Sequence, residues 1–201
     1  MYVSHCILTV LFSFAIGSIP FGVLLAKLFR LPDPRSIGSG NIGATNMLRT
    51  GNKKVAALTL LLDAAKGLVP VILAYQWFDA GAPLAALALL VALASHCYTP
   101  FLRGKGGKGV ATALGGAFAL SWPVGIAFCC SWLLTFMFTR YVSLASIVAL
   151  VSIALVAWLR LGGDTALIVG FAALIGIWRH RENMKRLRAG TEPKMMGKKH
   201  A

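Results

Sequence analysis

Seven apolar runs, at about residues 5–28, 55–77, 83–102, 108–122, 123–139, 141–160 and 165–179, take up most of this sequence. A helix needs about 20 predominantly apolar residues to cross the hydrocarbon core of a bilayer, and several of these runs reach that length. The chain therefore reads as one all-α membrane domain over residues 1–201, a polytopic bundle of about seven transmembrane helices, with five spans as the other odd count. Composition agrees: 58% hydrophobic residues, 13% charged residues and a mean hydropathy of +0.76 do not describe a water-soluble core. Pro83 suits a helix start, Pro20 and Pro70 should kink their helices, and Ser121-Trp122-Pro123 reads as a tight turn. The first run has no basic region before it and no small-residue cleavage site before Lys27, so it is expected to stay in the mature protein.

Charge sets the orientation. The chain carries 20 Lys and Arg against 6 Asp and Glu, a net +14. Such an excess raises nucleic acid as a partner, but in a membrane protein cytoplasmic loops collect Lys and Arg as an orientation signal. The connections around 30–54, around 103–108, at 140 and after 179 hold every basic residue except Lys27, Lys66 and Arg160. Those connections are expected in the cytoplasm, and the ones around Asp79, Trp122 and Asp164 outside. The N terminus is then outside and the C terminus inside, with residues 194–201 a basic cytoplasmic tail against lipid headgroups. Nucleic acid is not expected as a partner. Cys6, Cys97, Cys129 and Cys130 lie in or beside apolar runs without CxxC spacing or matching histidines, so they read as core residues and no metal is expected.

One run is too short for its place. Val110 to Trp122 is about 20 Å of helix, against a hydrocarbon core of about 30 Å. The glycine-rich stretch before it is expected to reach inward, which irregular backbone does only where it is buried in protein or lines a polar cavity.

Three cytoplasmic segments carry chemistry. The first runs from Gly38 to Arg49 and combines Gly38, Gly40 and Gly43 with Ser39, Asn41, Thr45, Asn46 and Arg49. Glycines let backbone N–H groups approach an anion, and the side chains add directed donors. It matches a dinucleotide-binding glycine pattern but lacks the preceding strand that pattern requires. The second, Arg103 to Thr112, sets Lys105 and Lys108 among Gly104, Gly106, Gly107 and Gly109 just before a helix. A helix N terminus with two lysines is a phosphate site; the same run also serves as a positive-inside loop. The third is Arg179-His180-Arg181-Glu182-Asn183, where His180 and Asn183 share a helix face. Within the runs, Asp63 and Lys66 are spaced to pair, and His96 and Ser143 are further polar groups that could line a cavity or serve packing alone.

In order, size and hydropathy, the three segments resemble the motifs of the acyl-phosphate-dependent glycerol-3-phosphate acyltransferases (the PlsY family) of bacterial phospholipid synthesis. Ile42 stands where that family often has proline. The resemblance implies transfer of a fatty acyl group from acyl phosphate to the 1-hydroxyl of glycerol 3-phosphate, giving lysophosphatidic acid and phosphate, at the cytoplasmic face of the bacterial inner membrane. It implies no cofactor. Ser39, Arg49, Lys108 and His180 form the expected catalytic set. Gly40, Asn41, Thr45, Asn46, Lys105, Gly106, Gly107 and Asn183 are the expected substrate and phosphate ligands, and Asp63, Lys66, His96 and Ser143 the expected cavity lining. Neither a Ser-His-Asp arrangement nor a cysteine in a suitable setting is identifiable, so the proton of the hydroxyl goes to the donor phosphate or to His180. An anion channel or transporter would use similar cations, but its polar residues belong at the midplane rather than at one face.

Overall fold

A computed structural model describes residues 2–78 and 81–195 and is helical throughout, with no strand among those residues. The helices are α1 (Tyr2–Gly17), α2 (Phe21–Leu28), α3 (Ala44–Met47), α4 (Lys53–Phe78), α5 (Gly81–Cys97), α6 (Val110–Leu120), α7 (Trp122–Thr139), α8 (Val142–Arg160), α9 (Gly163–Arg179) and α10 (Arg181–Arg188). The connection at Asp79 and the end of the tail, residues 196–201, lie outside the described residues.

Five segments are long and apolar enough to cross a membrane: Val3–Leu28, Lys53–Gln76, Gly81–Leu102, Trp122–Thr139 and Val142–Arg160. The other two apolar runs are α9, with 17 residues, and α6, with 11, or about 16 Å of helix. The first run does more than kink. It breaks at Ser18–Pro20 into α1 and α2, because Pro20 cannot continue the hydrogen-bond ladder. Pro70, in contrast, lies inside a continuous α4. The third run ends as a helix at Cys97 rather than 102, since Pro100 disfavours helical backbone before it; a single 3-10 turn follows at Pro100–Leu102. The turn at Ser121 is extended backbone, with Pro123 in the first turn of α7.

The centre is α5, flanked by α1, α4, α6 and α9, with Ala85, Leu89 and Leu93 fully buried. Helix α6 wedges against α4 through small residues. A Cβ on Gly115 would strike the Ala64 carbonyl, and one on Gly67 would strike the Thr112 carbonyl, so these two backbones touch only because both positions are glycine. That contact places the N terminus of α6 beside α4 and α5, where the polar loops converge.

Gly115→Ala should therefore lower the stability of the purified protein by about 1 to 3 kcal/mol, since backbone must move. Gly170→Ala, on α9 with nothing within 4 Å of the added carbon, should be neutral or slightly stabilising. Thermal unfolding of the two variants in the same detergent checks the pair.

Candidate active site

Asn46 organises the first loop. Its buried side-chain amide donates to the carbonyls of Pro34 (2.6 Å), Asn41 (2.8 Å) and Ile37 (3.2 Å) and accepts from Ser39 N (3.1 Å) and Arg49 Nη1 (3.4 Å). Gly38, at φ +54°, leaves room for the Arg49 guanidinium that a side chain would occupy. The N–H groups of Ser39 and Gly40 close the loop, on Asn46 Oδ1 and the Ile37 carbonyl (2.9 Å). These two amides, expected near a phosphate, already have partners within the loop. Ile42 is buried beneath α2, where Gly22 admits its carbonyl. Burial and the Asn46 bonds hold the loop without the proline.

The second loop is fixed by its neighbours. Gly106 N donates to the Cys97 carbonyl (3.1 Å) and Gly107 N to the His96 carbonyl (3.2 Å). Arg179 binds the other edge, with Nη2 to Gly106 O (2.8 Å) and Nε to Gly107 O (3.0 Å). These amides, expected as phosphate donors, already have partners. Lys105 is exposed and lies off the cavity. Gly109, at φ +76°, turns the chain into α6. Lys108 Nζ donates to Asn183 Oδ1 (2.5 Å).

The third segment supplies the partners of Lys108. Asn183 Nδ2 donates to Glu192 Oε1 (2.6 Å), which also accepts from Ser143 Oγ (2.6 Å), while Arg186 Nε donates to Glu192 Oε2 (2.7 Å). Burial opposes ionisation of Glu192, but these hydrogen bonds outweigh it and hold the carboxyl below its ordinary pKa. Burial pushes the Lys108 ammonium down to about 8; Glu192 resists this, and Arg186, Arg179 and Arg49 add to it. His180 Nδ1 lies 2.7 Å from the Gly176 carbonyl, which only accepts, so the proton sits on Nδ1 and Nε2 keeps its lone pair. Burial, reinforced by the Lys108 charge, lowers His180 to about 4, leaving a neutral ring at pH 7.

Ser39, Arg49, Lys108 and His180 all line one cavity of about 570 Å³. Asn41, Thr45, Asn46, Asp63, His96, Ser143 and Asn183 line it too; Gly40, Lys66, Lys105, Gly106 and Gly107 do not. Lys66 serves the break between α1 and α2, donating to the Ile19 carbonyl (2.8 Å) while pairing with Asp63 (2.9 Å). The cavity is also lined by the apolar side chains of Leu60, Leu114, Phe128, Trp132 and Leu133. Val110 and Ala111, at the N terminus of α6, line it as well.

Sequence reading missed Glu192, whose only local signal is an acidic residue in a basic segment. Residues 194 and 195, read as the start of the tail, lie against the site. Met195 N donates to the Arg140 carbonyl (3.0 Å), Lys194 Nζ lies 5.3 Å from the centre of the Tyr141 ring, and both residues line the cavity. The described part of the tail is a wall of the site, because Glu192 anchors it.

The sequence profile of the glycerol-3-phosphate acyltransferases matches residues 7–190. This chain belongs to the glycerol-3-phosphate acyltransferase family. The glycerol-3-phosphate acyltransferase of Roseobacter denitrificans is 51% identical over 188 residues, covering 92% of each chain. The crystal structure of PlsY (YgiH), an integral membrane glycerol 3-phosphate acyltransferase, superposes in its glycerol 3-phosphate form with a TM-score of 0.89 at 39% identity, over 94% of this chain and 95% of that one. Its lysophosphatidic acid form gives 0.87 at 38% identity over the same shares. The protein is thus an integral membrane acyltransferase of phospholipid synthesis.

A pH profile tests the electrostatics of the family site here. Lys108 loses its charge as pH rises through about 8, so kcat/KM, which reports the free enzyme, should fall above that pH. Glu192→Gln removes the negative charge that holds the ammonium up and should move this alkaline limb to lower pH. An alkaline limb at the same pH in both proteins would show that Lys108 does not set it.

Proposed function

We propose that the protein transfers a fatty acyl group from acyl phosphate to the 1-hydroxyl of glycerol 3-phosphate, releasing lysophosphatidic acid and inorganic phosphate. The observation that carries this reading is that one cavity is lined both by the cations Arg49, Lys108 and Arg186 and by the apolar side chains of Leu60, Leu114, Phe128, Trp132 and Leu133. Phosphate needs the first and a fatty chain the second. The related PlsY has been captured in glycerol 3-phosphate and lysophosphatidic acid forms, which agrees with this acceptor and product.

Acyl phosphate is a mixed anhydride, already activated. The hydroxyl oxygen attacks the acyl carbon, a C–O bond forms, and the bond from that carbon to the phosphate oxygen breaks. Lys108, Arg49 and the N terminus of α6 stabilise phosphate charge, Ser39 and Asn41 complete the phosphate contacts, and His180 and Asn183 orient the acceptor. The whole chain acts as one domain in the bacterial inner membrane, crossing it seven times with the N terminus outside and the site facing the cytoplasm.

Purified protein given glycerol 3-phosphate should turn over acyl phosphate and not acyl-coenzyme A; the reverse preference would move it to another donor class. Lys108→Ala should lower the rate about 10² to 10³-fold, as loss of one donor to a developing anion does. Lys185→Ala, an exposed lysine paired with Glu182 on α10, should leave it unchanged. A folded Lys108→Ala protein with near-normal turnover would reduce the glycine-lysine run to an orientation signal.

A further inference from the structure

Arg179 stands next to His180 yet does not line the cavity. Its guanidinium closes instead on two successive carbonyls, Gly106 O and Gly107 O, and lies 5.3 Å from the centre of the Tyr98 ring. The opposite edge of the same two residues is bonded to the end of α5, through the carbonyls of Cys97 and His96. The His96 ring lies against the Gly107 Cα so closely that a Cβ there would overlap it. A Gly-Gly pair has the largest conformational freedom of any dipeptide, and here that freedom is removed on both edges. The next residue is Lys108.

We propose that Arg179 is a positioning residue for acyl transfer. Its planar fork presses the Gly106-Gly107 backbone onto His96, which presets the Lys108 ammonium before substrate arrives. This rests on the reading that Lys108 stabilises phosphate charge. Lysine could not replace the fork, because a point charge on a flexible stem does not fix two carbonyls in one plane. The arrangement also gives one helix end two coordinated tasks: α9 places His180 through the Gly176 carbonyl and Lys108 through Arg179. A displacement of about 1 Å in such a group can cost on the order of 10²-fold in rate.

The test is a double-mutant cycle with a structural readout. Arg179→Gln should lower kcat about 10- to 100-fold in the otherwise unchanged protein. In the Lys108→Ala background the same change should cost less than about threefold, since the residue it positions is gone. Hydrogen exchange of the segment 103–109 in detergent should accelerate in Arg179→Gln, because the amides of Gly106 and Gly107 lose their restraint. Arg179→Lys should show the same pattern at smaller size and serves where the Gln variant does not fold. Equal fold-losses in both backgrounds, a rate loss with unchanged exchange, or no rate loss would each overturn the proposal. Full activity of Lys108→Ala alone would instead overturn the phosphate reading beneath it.

Discussion

Where the backbone leaves helical geometry at the break in the first run and in the two polar loops, side chains from other elements bind its carbonyl oxygens. Thr99 donates to Ser18 O (2.6 Å) and Lys66 to Ile19 O (2.8 Å) at the break in the first run. Arg179 serves Gly106 and Gly107, and Asn46 serves three carbonyls of the first loop. An unsatisfied backbone group in hydrocarbon costs several kcal/mol, so irregular backbone survives in a membrane domain only where such donors exist. The cavity forms where these interruptions meet. Asn46, which lines the cavity, answers a need of the backbone as well as shaping the site.

Charge in the cavity follows the same economy of partners. Glu192 accepts from Ser143, Asn183 and Arg186, so its negative charge is committed before any substrate enters. Because the Asn183 amide nitrogen faces Glu192, its oxygen must face Lys108. Lys108 is thereby held by a neutral acceptor rather than by a carboxylate. Its charge stays available to a phosphate, which need not compete with a direct ion pair. Glu192 still acts on Lys108 at longer range, holding its pKa up against burial.

The apolar runs made the helical membrane architecture legible, because hydropathy over a span is a local property. The three motifs were legible for a related reason: Gly38 to Arg49, Arg103 to Thr112 and Arg179 to Asn183 interrupt or end the apolar runs with residues that apolar spans exclude. The use of each donor was not. Whether Gly106 is free depends on Cys97, whose carbonyl takes its N–H, and on Arg179, 73 positions away in sequence, which binds its carbonyl. Glu192 has meaning only beside Ser143, 49 positions earlier. The same holds for Lys194, which reads as a free tail residue until Glu192 ties its segment to the cavity wall. Residue type marked the site, but three-dimensional closure assigned the hydrogen bonds.

The proton route on the acyl-phosphate reading can be argued from the two bases present. His180, held to about 4 by burial and by Lys108, is a weak base at neutral pH, although its Nε2 lone pair is well fixed by the bond from Nδ1 to Gly176 O. A mono-substituted phosphate has its second ionisation near 6, already above His180, and the oxygen released from the acyl carbon is more basic still, so the donor's phosphate is the stronger proton acceptor. Efficient transfer favours the group whose pKa lies nearer the working pH. His180 then accepts a hydrogen bond from the acceptor's other hydroxyl, which aims the 1-hydroxyl oxygen at the acyl carbon, and the departing phosphate takes the 1-hydroxyl proton as the bond to it breaks. A neutral histidine suits that task better than a charged one, since an imidazolium would have no lone pair to offer the hydroxyl. Burial beside a lysine, costly for a catalytic base, is what keeps this ring a hydrogen-bond acceptor.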